Sequence, residues 1–144
     1  MASVRLKSAE ELSEMRESGR LLATVFDYLD SFIEIGLSTM EINDLAERFI
    51  TDQLRARPAS KGQYGYQYVL NSSVNRVVCH GVPSATQKLK SGDIVNVDIT
   101  LEQGGFIADS SKMYMIGDVT PAARRLVDKA LSLIHISEPT RLRR

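Results

Sequence analysis

The sequence predicts an α+β fold, an antiparallel sheet with helices on one face. Three observations carry that expectation. Two capping boxes, "SAEE" at 8–11 and "STME" at 38–41, each open a segment whose apolar residues recur at helical spacing. A middle segment rich in Tyr and Val loses that spacing. Then "IVNVDITL" and "FIADSSKMYMI" flank "EQGG", a hairpin signal.

In the first helix Ser8 caps the opening turn and Glu11 reaches back to it. Leu12, Met15, Leu22, Val25, Phe26, Leu29 and Ile33 then give an amphipathic helix of about six turns. Gly36 in "EIGL" suits its C-cap. Ser38 and Glu41 open the second helix, and Ile42, Leu45, Ala46, Phe49, Ile50 and Leu54 carry it to about residue 55. Segment 64–82 reads as one or two strands ending at Pro83, and 83–93 as a polar connection. After the hairpin, Thr120 caps a last helix with Pro121 at its first position.

Totals bound the function. A chain of 144 residues suffices for one domain with a real core. Eighteen Lys plus Arg balance eighteen Asp plus Glu, which argues against a bulk electrostatic grip on nucleic acid or anionic membrane. No apolar run reaches the roughly 20 residues that span a bilayer, and the N-terminus lacks a secretion signal. Cys79 is the single cysteine, so there is no disulfide framework and a reducing compartment suits the chain. A soluble cytoplasmic protein is expected, with no nucleic-acid or membrane partner.

Asp98 and Asp109 stand out because each carboxylate costs stability in a β-prone run. Val95, Val97, Ile99 and Leu101 share one strand face, while Asn96, Asp98 and Thr100 share the other. A loop at Gln103–Gly104 would place Asp98 directly opposite Asp109, where like charges repel. A shift by two residues, with Gly104–Gly105 at the tip, would make the pair diagonal but keep it on one face. Such a pair can share a proton, stand solvated on an open face, or hold one or two divalent cations. His80, in "VVCHGVPS", sits at a strand end before a Gly–Val–Pro turn. That suits proton handling near neutral pH, though an isolated histidine there also reads as an ordinary surface or capping residue. Cys79 alternates to the other face and reads as a small core residue rather than a nucleophile.

Taken in order after a two-helix start, "SVNRVVCHGVPS", "LKSGDIVNVDITL" and "GFIADSSKMYMIGDV" closely resemble type I methionine aminopeptidases. Those enzymes have the pita-bread fold shared with creatinase and proline-specific peptidases. The resemblance runs from about residue 4 to residue 130. It implies removal of the initiator methionine from nascent polypeptides, with two divalent metal ions (Co, Mn, Fe or Zn) around a bridging water. Asp98 and Asp109 match the family's first two metal-ligand carboxylates, and His80 matches its substrate-contacting histidine. Tyr66 matches an aromatic of the methionine pocket. Gln63 stands where another tyrosine is common, and Ser60 where a cysteine is frequent. The implied partner is a Met-Xaa N-terminus, with the ribosome as a candidate second partner and a monomer as the expected state of the complete enzyme.

The resemblance implies three further ligands, a histidine and two glutamates, from a second half related to the first by pseudo-symmetry. Residues 1–130 are accordingly expected to be the N-terminal part of the catalytic domain. The other histidine, His135, lies in "LSLIHISEPTRLRR", which resembles one translated frame of a transposase sequencing adapter. Residues 131–144 are therefore expected to be non-native, which the source DNA across codon 131 decides. Two carboxylates without those partners predict an inactive chain, with an apolar surface left exposed where the other half would pack. The alternatives are a proline-specific dipeptidase and a metal-free pita-bread binding module.

Overall fold

The computed structural model describes residues 6–137, with side chains through residue 133. Helix α1 spans Ala9–Leu29 and α2 spans Thr39–Arg48, each opened by the expected capping box on Ser8 and Ser38. The α2 pattern runs on through one wider turn, Phe49–Gln53. Gly36 is not the C-cap of α1: Asp30 fills that place, and Gly36 lies in the following turn at φ +94. There its N–H donates to the Leu89 carbonyl at 2.8 Å. Four strands follow: β1 (Arg57–Pro58), β2 (Leu70–Val74), β3 (Ile94–Gln103) and β4 (Phe106–Met115). Helix α3 spans Pro121–Ser137, with the Thr120 hydroxyl accepting from the Ala123 N–H at 3.2 Å. It runs unbroken across residue 131, and its Leu126, Leu131 and Leu133 are exposed.

All pairings are antiparallel, and β3 is the centre. One edge of β3 is taken over its whole length by β4, so β1 and β2 share the other edge end to end. The alternation in β3 sorts its faces as the residue pattern requires. Val95, Val97, Ile99 and Leu101 are fully buried beneath α1 and α2, against Leu22, Val25, Leu29, Ile42, Ala46 and Ile50. Asn96, Asp98 and Thr100 are half-buried on the opposite, open face.

The hairpin closes on Gly104–Gly105, with Gln103 paired to Phe106. This moves the turn one residue on from the expected Gln103–Gly104 loop and shifts the strand register by two. Gly104 and Gly105 have φ of +60 and +84, as a type I′ turn demands at both central positions. Glutamine at the first of them would be strained, whereas two glycines enter the left-handed region without steric cost. The fully buried Ser18 of α1 seats this turn: its hydroxyl lies 3.0 Å from the Phe106 carbonyl and 3.3 Å from that of Gln103. At the far end, Lys112 and Tyr114 of β4 both donate to the Asp30 carboxylate, at 2.6 and 3.0 Å.

The middle segment is less regular than expected. Only Leu70–Val74 is extended and paired, and 75–82 is a loop. Asn75 turns the chain out of β2 at φ +54 and is held by Ile94: its side-chain oxygen accepts from the Ile94 N–H at 3.0 Å. Cys79 is exposed, not a core residue, because the loop carries it away from the sheet.

If the Gly–Gly turn sets the hairpin, Gly105→Val should lower the unfolding free energy by about 1–2 kcal/mol through backbone strain alone. Urea denaturation measures this; a change below a few tenths would contradict the turn assignment.

Candidate metal and substrate site

The open face of the sheet carries the site. With the turn at Gly104–Gly105, Asp98 pairs with Ser111 and Asp109 with Thr100. The two aspartates are thus diagonal neighbours, not directly opposed, and they share one face as the two-residue shift requires. Each has a neutral hydrogen-bonding residue directly across from it on a neighbouring strand. Thr100 faces Asp109, and its hydroxyl donates to Oδ1 at 3.3 Å. Asn71 of β2 faces Asp98.

Burial pushes the Asp98 carboxyl above its usual range, and the Asp109 charge beside it pushes the same way. The nearby His80 and a hydrogen bond from Asn71 pull in the opposite direction without cancelling the rise. The carboxylates therefore face each other closely enough to feel mutual repulsion. Burial, then the neighbouring Tyr68 and Asp98, likewise raise the Tyr66 phenol.

His80 reaches this face on the loop after β2. Its backbone is left-handed, φ +55, a conformation costing roughly 1 kcal/mol or more in a non-glycine residue. The next residue holds it there. The Ser72 N–H donates to the Gly81 carbonyl at 2.7 Å, and the Gly81 N–H donates to Ser73 Oγ at 3.1 Å. The approach is so close that a Cβ on Gly81 would lie 2.1 Å from the Ser72 carbonyl oxygen. Glycine is required by that contact rather than by its φ.

A cleft of about 670 Å³ gathers Ser60, Gln63, Tyr66, His80 and Asp109, together with Tyr64, Asn71, Val82 and Thr100. Asp98 adjoins it through Asn71, His80 and Asp109. Two wall residues are already committed. The Tyr66 hydroxyl donates to the Leu70 carbonyl at 2.8 Å, and the Gln63 amide nitrogen to the Ala59 carbonyl at 2.7 Å. Their remaining surfaces are the tyrosine ring and the glutamine oxygen. Among the described residues no group of three or more His, Cys, Asp or Glu side chains could hold a metal.

All six residues singled out in the sequence thus lie in one region. Asn71, Thr100 and Gly81 were not singled out. Thr100 was visible as a member of the polar face of β3. Asn71 becomes a neighbour of Asp98 only through the β2–β3 register, for which the sequence carries no turn signal.

Residues 13–136 match the sequence model of Metallopeptidase family M24. The methionine aminopeptidase of Escherichia coli K12 is 37% identical over 124 residues, covering 86% of this chain and 47% of that protein. Methionine aminopeptidase B of Synechocystis is 39% identical over 127 residues, covering 85% and 46%. The crystal structure of methionine aminopeptidase from Rickettsia prowazekii superposes with a TM-score of 0.84 at 35% identity, over 88% of this chain and 50% of that one. The chain spans about half the length of these relatives. Prolidase from Pyrococcus furiosus shares the fold alone, with a TM-score of 0.70 at 15% identity.

The raised Asp98 carboxyl fixes the sign of a pH effect. Its contribution to stability is full below the ordinary carboxylate range and is lost as pH rises through its folded-state value. Asp98→Asn should therefore stabilise the metal-free chain at pH 7, by about 0.2–1 kcal/mol. The gain should shrink toward pH 4. Urea unfolding in a chelator at both pH values reads it; a variant less stable than wild type at pH 7 would contradict the repulsion.

Proposed function

The chain belongs to metallopeptidase family M24, and on that footing we propose that it carries half the active site of a metal-dependent methionine aminopeptidase. Its substrate is the Met-Xaa N-terminus of a nascent polypeptide, and its setting the cytoplasm; no described helix is long and apolar enough to cross a membrane. One observation carries this reading: two carboxylates converge on a cleft that His80 and Tyr66 also line. A pair that is merely solvated gives no account of the histidine held in a left-handed backbone beside the half-buried Asp98.

The residues fit one edge of a dinuclear centre. Asp98 and Asp109 supply hard oxygen donors on one face, and their repulsion is what a divalent cation would relieve. Oxygen donors of this type suit manganese, and a histidine elsewhere in the ligand set would also admit cobalt, iron or zinc. When bound, such ions would lower the pKa of a coordinated water and polarise the scissile carbonyl. Two ligands fall short of the complement such ions require, so further ligands are needed.

The chain's own residues then divide the work. His80, fixed by the Gly81 contact, contacts substrate beside the scissile peptide and handles a proton at its imidazole. The Tyr66 ring forms one wall for the methionine side chain, because its hydroxyl is already engaged. Ser60 and Gln63 form further walls, more polar than the cysteine and tyrosine common there. Residues 1–130 are read as the N-terminal part of the catalytic domain and 131–144 as a non-native tail, although the family match continues to residue 136.

A coupled assay on Met-Ala-Ser peptide with added manganese or cobalt tests this. The 144-residue chain should show no turnover. A chain extended to the length of its relatives should be active and lose more than about a hundredfold on Asp98→Asn. Turnover by the 144-residue chain that disappears in Asp98→Asn would overturn the half-site reading, and an inert extended chain would overturn the peptidase assignment.

A further inference from the structure

We propose that Asn71 is a positioning residue that holds the Asp98 carboxylate turned toward Asp109 before any ion arrives. The proposal rests on reading Asp98 and Asp109 as metal carboxylates. Asn71 and Asp98 are directly paired across β2 and β3, so their Cβ atoms lie about 4.5–5.5 Å apart, within reach of an amide-to-carboxylate hydrogen bond. The Asn71 side chain faces the same cleft that Asp109 lines.

The neighbouring pair shows the same device. Thr100 lies directly opposite Asp109 and donates its hydroxyl to it. Each carboxylate thus has a neutral donor across from it, and the two pairs meet along the diagonal. Neutral donors suit this place. A cation in either position would form an ion pair and compete with a metal, whereas an amide or hydroxyl orients the oxygens and leaves their charge available. Asn71 is itself anchored, because the α2 residue Asn43 accepts from the Val69 N–H at 2.9 Å and fixes the start of β2.

Such a role predicts a specific pattern. Free of its donor, Asp98 has an incentive to rotate away from Asp109, since like charges repel. Asn71→Val and Asn71→Thr test this as a pair, because the two side chains have similar shapes and only threonine offers a hydroxyl. The primary readout is the Asp98 χ1 rotamer in the metal-free 144-residue chain, from NMR three-bond couplings to Cγ. Wild type and Asn71→Thr should show one dominant rotamer and Asn71→Val an average. Backbone amide spectra report that the fold is retained; should valine disturb the strand, Asn71→Ala removes the same donor. A single unchanged rotamer in the donor-free variant, or averaging already present in wild type, would overturn the proposal.

A second readout is Mn²⁺ affinity by electron paramagnetic resonance. Loss of the donor should weaken binding roughly 10–100-fold, as removal of outer hydrogen-bond partners usually does, and threonine should restore most of it. Equal weakening by threonine and valine would contradict positioning by a hydrogen bond. Binding that survives Asp98→Asn would instead refute the metal reading while leaving the rotamer result standing.

Discussion

A tight turn built from two glycines governs this structure. Gly104 and Gly105 both lie in the left-handed region, and the residues on either side of them, Gln103 and Phe106, begin the longest pairing in the sheet. Side chains alternate along a strand, so the position of that turn decides which face every residue of β4 occupies and which residue of β3 it meets. A one-residue slip in the β3–β4 pairing register would send Asp109 to the helix side and Ala108 to the open side. The observed turn keeps Asp109 open and diagonal to Asp98.

The remaining structure holds that arrangement in place. The helices cover one face of β3 so completely that Val95, Val97, Ile99 and Leu101 have no exposed surface. Sliding β3 by a residue would bring Asp98 into that apolar layer, at a cost no hydrogen bond there could offset. Ser18 grips the turn, and the Asp30 cluster with Lys112 and Tyr114 grips the other end of β4. On the opposite edge, the backbone contact of Gly81 with Ser72 carries His80 to the same open face. Three separate constraints, turn, core and loop contact, converge on one patch.

Much of this was legible because it depends on local chemistry. Both capping boxes, the two faces of β3, and the cap at Thr120 follow from short patterns whose physics does not require distant partners. The shared face of Asp98 and Asp109 was legible too, since both plausible turns preserve it. What the sequence hides depends on backbone or tertiary geometry. Gln103 suits a turn by its polarity, yet only the neighbouring glycine pair meets the φ demanded at both positions. The Val-rich run at 77–78 suggested a strand, yet the exit at Asn75 turns it into an exposed loop and takes Cys79 with it. Asn71 carries no sign of its partner, because β2 and β3 are paired across nineteen intervening residues without a hairpin to set their register.

Local placement of a divalent ion is the most direct measure of the whole account. Substoichiometric Mn²⁺ added to the ¹⁵N-labelled chain should broaden amide signals most strongly around Asp98 and Asp109, then at Asn71 and His80, and should fall off with distance from that pair. Broadening centred on another acidic cluster, or spread evenly over the exposed carboxylates, would contradict a site formed by the diagonal pair.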